Sequence, residues 1–232
     1  MERFYHRAPS PESTIEVICR NVLELVASME DCLAKERILP CLILLYCGID
    51  IIASLEDKAP KVRGEKLPTR SPAMATASRH SFERWVNRYL LKAGHFSFSA
   101  RDLYSARCGI IHSYSPESDL YRSGRARIIC YAYGPDTLQD LEERNRREVE
   151  MGFQRTVGAH VRDLITGYRN AFANYIEDVQ NDSARMRTIV EATKVWFFDK
   201  KDGLGVLSED ARPQNGHSRK QIEVPMSIAA ER

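Results

Sequence analysis

The sequence is poor in the patterns that announce most chemistries. It holds no Cys-x-x-Cys pair and no cysteine–histidine cluster at zinc-ligand spacing, so no metal site is expected. His80, His95, His160 and His217 stand singly. There is no glycine-rich phosphate loop, no Gly-x-Ser-x-Gly turn and no His-Glu-x-x-His. These absences set aside P-loop nucleotide hydrolysis, serine esterase chemistry and zinc proteolysis. No internal repeat is present. The opening Met1-Glu-Arg-Phe-Tyr-His-Arg7 lacks the apolar stretch of a secretory signal. The strongest apolar run, Ile38 to Leu55, is interrupted by Pro40 and Asp50, so it reads as a buried helix, with no membrane association expected. An excess of one charge is missing too: 34 Lys and Arg face 32 Asp and Glu, a net charge of +2.

What is present suits one sizeable core. The chain has 232 residues, 43% of them hydrophobic. Cys19, Cys32, Cys41, Cys47, Cys108 and Cys130 mostly fall inside apolar runs, where cysteine behaves as a small buried hydrophobe. Reduced thiols and a cytoplasmic location are the expectation. Charge is unevenly spread. From Arg79 to Tyr133 nine Lys or Arg and four acids leave a local net of +5, which favours an anionic partner there.

Periodicity predicts an all-α fold. Ser13-Thr-Ile-Glu16 reads as a capping box opening a helix over 13–35, with Ile15, Ile18, Val22, Leu25, Met29 and Cys32 on one stripe. A second helix over about 36–56 is apolar nearly all round and therefore central. Pro60, Gly64, Pro68 and Pro72 mark a basic loop over 57–78. A helix over 79–93 follows, with Phe82, Trp85, Val86, Tyr89 and Leu90 facing the core. Ile128 to Tyr133 alternates as a short strand closed by Gly134-Pro135, and residues 152–156 are expected to pair back with it as a β-hairpin. A polar helix over 137–150, a core helix over 158–180 and a helix capped by Ser183 complete the reading. Leu204 to Leu207 suggest a last short strand. The expected domain spans 1–208, with a disordered tail over 209–232 that has no periodicity.

Residues 99–116, between the 79–93 helix and the Ile128 strand, carry the chemistry. Ser99 is placed to cap a helix, with Asp102 suited to its positive end. Leu103, Ala106, Ile110 and Ile111 give a buried side, and Pro116 ends the helix near Ser113 to Ser115. Against this apolar background stand Arg107 and His112. An arginine offers a permanent planar cation for phosphate oxygens, and a histidine exchanges protons near neutral pH. Five positions apart, the two project about 140° apart on an ideal helix, so convergence would need an unwound helix end or a second subunit. Asp50, a carboxylate among isoleucines, is expected either to be solvated or to face Arg107 or another arginine and orient it.

Arg107-Cys-Gly-Ile-Ile-His112, preceded by Leu103-Tyr104, resembles the Arg-x4–6-His motif of the HEPN superfamily (higher eukaryotes and prokaryotes nucleotide-binding). The resemblance implies a HEPN-like helical bundle, extending over roughly residues 15–180. It implies a cofactor-free, metal-independent endoribonuclease acting on single-stranded RNA as a homodimer. In that reading Arg107 and His112 are catalytic. Tyr104, Ser113, Arg122 and Arg125 are candidate substrate contacts, and Asp50 is supporting. Such proteins often serve as toxins or phage-defence nucleases held by an antitoxin partner. Cys108 stands where catalytic members often carry a polar residue such as Asn. The alternatives are accordingly a non-catalytic RNA- or nucleotide-binding module and a dimeric helical scaffold.

Overall fold

The apolar stripes pair off as helix against helix. The computed structural model describes residues 11–58, 78–115, 117–151 and 156–193. Helix α1 (Pro11–Ala34) buries Ile15, Ile18, Val22, Val26 and Met29 against α2 (Ile38–Lys58). Ser13 lies inside α1 rather than at its cap, because the helix already includes Pro11. Pro40 leaves α2 unbroken, since it sits in the first turn, where a missing N–H leaves no bond unmade. Ile38–Glu56 is therefore long and apolar enough to cross a membrane by length and composition, contrary to expectation. What it buries here is protein: Cys41, Leu45, Tyr46, Ile49, Ile52 and Leu55 are fully enclosed.

Gly48 marks how closely α2 is packed. A Cβ there would stand 2.7 Å from the Tyr168 hydroxyl and 2.8 Å from Leu25 Cδ2. Helix α3 (Arg79–Trp85) runs through a single π turn (Val86–Leu90) into α4 (Leu91–Ala93). All five of its predicted core residues are buried. Helix α5 (Ala100–Ser113) packs on α2, α3 and the first strand, and the short α6 (Asp119–Arg122) follows it.

The all-helical class with a short β element holds, but the element is not a hairpin. Strand β1 (Ile128–Ala132) pairs in parallel with β2 (Thr156–His160), in the register Ile128↔Thr156 to Ala132↔His160. Helix α7 (Leu138–Glu150) is the crossover between them. Parallel strands need such a connection, and α7 supplies it. Residues 156–160, whose latter part had read as the first turn of the next helix, are strand instead. Helix α8 (Val161–Gln180) then buries Leu164, Tyr168, Phe172, Ile176 and Val179 as expected.

Helix α9 (Ser183–Thr193) is capped by Asp182 rather than Ser183. Asp182 Oδ1 accepts from the N–H groups of Ala184 and Arg185. Buried Arg185 then ties α9 to α2, donating to Glu56 Oε2 at 2.5 Å and to the Tyr89 hydroxyl at 2.9 Å. The predicted basic loop over most of its length, the short strand near 204–207, the domain boundary at 208 and the tail all lie outside the described residues.

Candidate active site on helix α5

Ser99 opens α5 with a full capping box. Its hydroxyl accepts from the Asp102 N–H, while Asp102 Oδ2 accepts from the Ser99 N–H. Asp102 also takes the Arg127 backbone N–H at 2.7 Å and that residue's guanidinium at 2.7 and 3.1 Å. Burial works against this carboxylate, yet the bonds from Arg127 and Ser99 hold it below the usual range. The start of the helix is thereby fixed to the entry of β1. Leu103, Ala106 and Ile110 face the core, and Ile111 is partly buried beside them.

At its far end α5 closes on Tyr114, with φ 50° and ψ 31°. The Tyr114 N–H reaches the Ile110 carbonyl, the bond of an αL cap. Glycine is the usual residue in this conformation, and Tyr114 holds it with its side chain largely in solvent, 72% exposed.

Between these ends Arg107 bridges two partners. Its Nε and Nη2 donate to Asp50 Oδ2 on α2 at 2.8 and 2.6 Å. Its Nη1 lies 3.1 Å from His112 Nε2. Neither an unwound helix end nor a second subunit is needed for this meeting. Side chains on a helix lean toward its N-terminus, so His112 tilts back and the long arginine spans the remaining arc. A guanidinium has only donors, so in this bond Nε2 is the accepting atom. The Nε2 lone pair is thus held at the guanidinium, in the exposed part of the site.

The surroundings make the cation a fixture. Arg107 and Asp50 side chains are 11% and 16% exposed. Burial pushes the Asp50 carboxyl up, with the Arg107 guanidinium pulling against it. Burial also opposes the Arg107 charge, but Asp50 outweighs it. Arg107 stands 6.0 Å over the Tyr104 ring, which is braced edge-on by Phe82 at 5.3 Å. Cys108 Sγ is 4.0 Å from Arg107 Nη1. The Cys47 thiol is raised by burial and by Asp50 and lowered by Arg107, which places it beside the same pair.

Asp50, Tyr104, Arg107 and His112 therefore meet. Ser113 is spent on the backbone, its hydroxyl donating to the Gly109 carbonyl. Arg122 pairs with Glu117 and Asp119, each at 3.8 Å. Arg125 bonds Ser123 and lines a cleft with Ser99 and Asp102 at the opposite end of α5, whose 14 residues span about 21 Å. No contact among the described residues brings either arginine to the Arg107–His112 pair. Sequence reasoning missed Cys47 and Tyr114. Cys47 precedes Asp50 by three positions and so shares its face, and Tyr114 follows His112 by two. No group of residues suited to a metal ion occurs among the described residues. Compared with family models, with curated proteins and with solved structures, the chain matches none.

Proposed function

We propose that the chain is a HEPN-like endoribonuclease that cleaves single-stranded RNA at the Arg107–His112 pair. The observation that carries this reading is the continuous chain from Asp50 through Arg107 to His112 Nε2. Asp50 fixes a cation that would otherwise sample many rotamers, and the cation fixes an imidazole lone pair. An RNA phosphate entering the site would displace His112 from Nη1. Arg107 then neutralises the charge that builds on the non-bridging oxygens, and the released Nε2 takes the proton of the adjacent ribose 2′-hydroxyl. The 2′-oxygen attacks phosphorus, the P–O5′ bond breaks, and O5′ leaves with a proton. The products are a 2′,3′-cyclic phosphate and a 5′-hydroxyl. Because the nucleophile belongs to the substrate, the scheme itself calls for no cofactor. A homodimer would supply a second His112 to protonate O5′ while the first accepts. The resemblance extends the proposal to a toxin or defence nuclease restrained by a protein partner.

One observation favours a second reading, a module that binds RNA without cutting it. Cys108, in place of a polar residue, lies against Arg107 and offers a phosphate little. The discriminating experiment is incubation of the purified protein with total RNA in EDTA, beside an Arg107→Ala/His112→Ala variant. Cutting by the wild type alone supports the nuclease. Retained RNA affinity without cutting supports the module, and neither affinity nor cutting leaves a scaffold.

A further inference from the structure

Away from α5, Asn145 and Thr156 are two of several side chains with enclosed polar atoms that have no hydrogen-bond partner among the described residues. Asn145, on α7, is 6% exposed, and neither its Oδ1 nor its Nδ2 has a partner. Thr156, the first residue of β2, has an enclosed Oγ1 without a partner. Both line one cleft of about 320 Å³ between α7 and β2, together with Glu142, Arg146, Val149 and Gly158. The backbone explains the meeting. Thr156 and Gly158 point to the same face of β2, and a Cβ on Gly158 would stand 3.2 Å from Leu141 Cδ2. That face is therefore covered by α7, and Asn145 lies one turn beyond Leu141 on the same side of the helix.

Buried amides and hydroxyls are bonded in nearly all folded proteins, and an orphan carries the full cost of its lost hydration. Two orphans lining one opening are what a site keeps for a missing ligand. A carboxamide bonded at both ends requires an acceptor beside a donor on one edge, as in a lactam or an amidine. The volume lies at the low end for small-molecule sites. Its rim carries one acid, Glu142, and one base, Arg146, so it has no net attraction for a phosphate. We propose that this cleft binds a neutral ring with an amide-type edge, namely a nucleobase presented as a nucleoside. Asn145 reads the edge and Thr156 bonds a neighbouring ring atom. The site is separate from the Arg107–His112 pair, and its occupation does not depend on RNA cleavage.

The test is binding of adenosine, guanosine, cytidine and uridine, with ribose as control, to the full chain by calorimetry and thermal shift. At least one nucleoside should bind and raise the melting temperature, and ribose should do neither. Asn145→Leu should weaken that binding roughly ten- to a hundredfold, the range of a bidentate base contact, while leaving the free protein as stable as before or more so. Thr156→Val provides a second, smaller loss should Asn145→Leu fail to fold. Arg107→Ala/His112→Ala should bind the nucleoside normally, which separates this site from the nuclease reading. Absence of binding by every nucleoside, or binding undiminished in both cleft variants, would overturn the proposal.

Discussion

Asp50 holds Arg107 through one oxygen only; Oδ1 is buried with no partner among the described residues. Removing the carboxylate leaves a nearly buried guanidinium without its counter-charge, so Asp50→Ala should cost about 3 kcal/mol in urea unfolding, as for other broken buried pairs. Asp50→Asn keeps an acceptor and should cost less. Under the proposed nuclease reading both should slow RNA cleavage, Asp50→Ala the more; wild-type rates in the two variants would remove Asp50 from any positioning role. Tyr114 makes the opposite prediction. A residue with a Cβ in the left-handed region costs about 1–2 kcal/mol, so Tyr114→Gly should stabilise the protein by about 1 kcal/mol. A loss of stability instead would mean that the ring, though mostly in solvent, packs usefully. The sequence made Asp50 conspicuous as a lone charge among isoleucines. It could not show Tyr114, because an αL cap is ordinarily announced by glycine.

At the scale of elements, α5 was readable because its ends are written in local chemistry: Ser99 and Asp102 at one, Pro116 beyond the other. Its anchor makes a pH prediction. Asp102 binds its proton less tightly in the folded chain than in the unfolded one, where its value is ordinary. Its stabilisation is therefore complete above the usual carboxylate range and lost as pH falls through the depressed folded value. Acid unfolding below about pH 4 should be shallower in Asp102→Asn, which should already be less stable at neutral pH. An unchanged acid limb would refute the assignment. The sheet was less legible. Alternation marks a strand but not the direction of its partner, and Thr156-Val-Gly-Ala-His160 is too short to separate strand from helix by period. Pairing across a helical crossover is decided by tertiary packing that no local signal records. Asp182 displaced Ser183 as cap for a simpler reason: both residue types cap well, and their neighbours decided.

At the scale of the molecule, the chain's last described helix is clamped to the interior by charge. Arg185 and Glu56 are 7% and 8% exposed, and Tyr89, Arg88 and Asp178 extend the network. Arg185→Ala leaves buried Glu56 with only the longer 3.4 Å contact from Arg88 and should cost about 3 kcal/mol. Glu56→Leu/Arg185→Met should recover most of that loss, which chemical denaturation of the two variants would show. A double variant as unstable as the single would mean that the network supplies more than neutralised charge. This clamp was invisible in the sequence because its members lie 129 positions apart. It also sets an order in time. Asp50, Arg107 and His112 have all been synthesised once residue 112 is added, but α2 is covered by α8 and α9 only after residue 161 onward. At roughly 5–20 residues per second, the 73 residues from His112 to Arg185 take about 4–15 s to add. Through that interval the nascent chain carries Asp50, Arg107 and His112 but lacks the cover of α8 and α9 on α2, so the frame that holds these side chains is completed well after the side chains themselves exist.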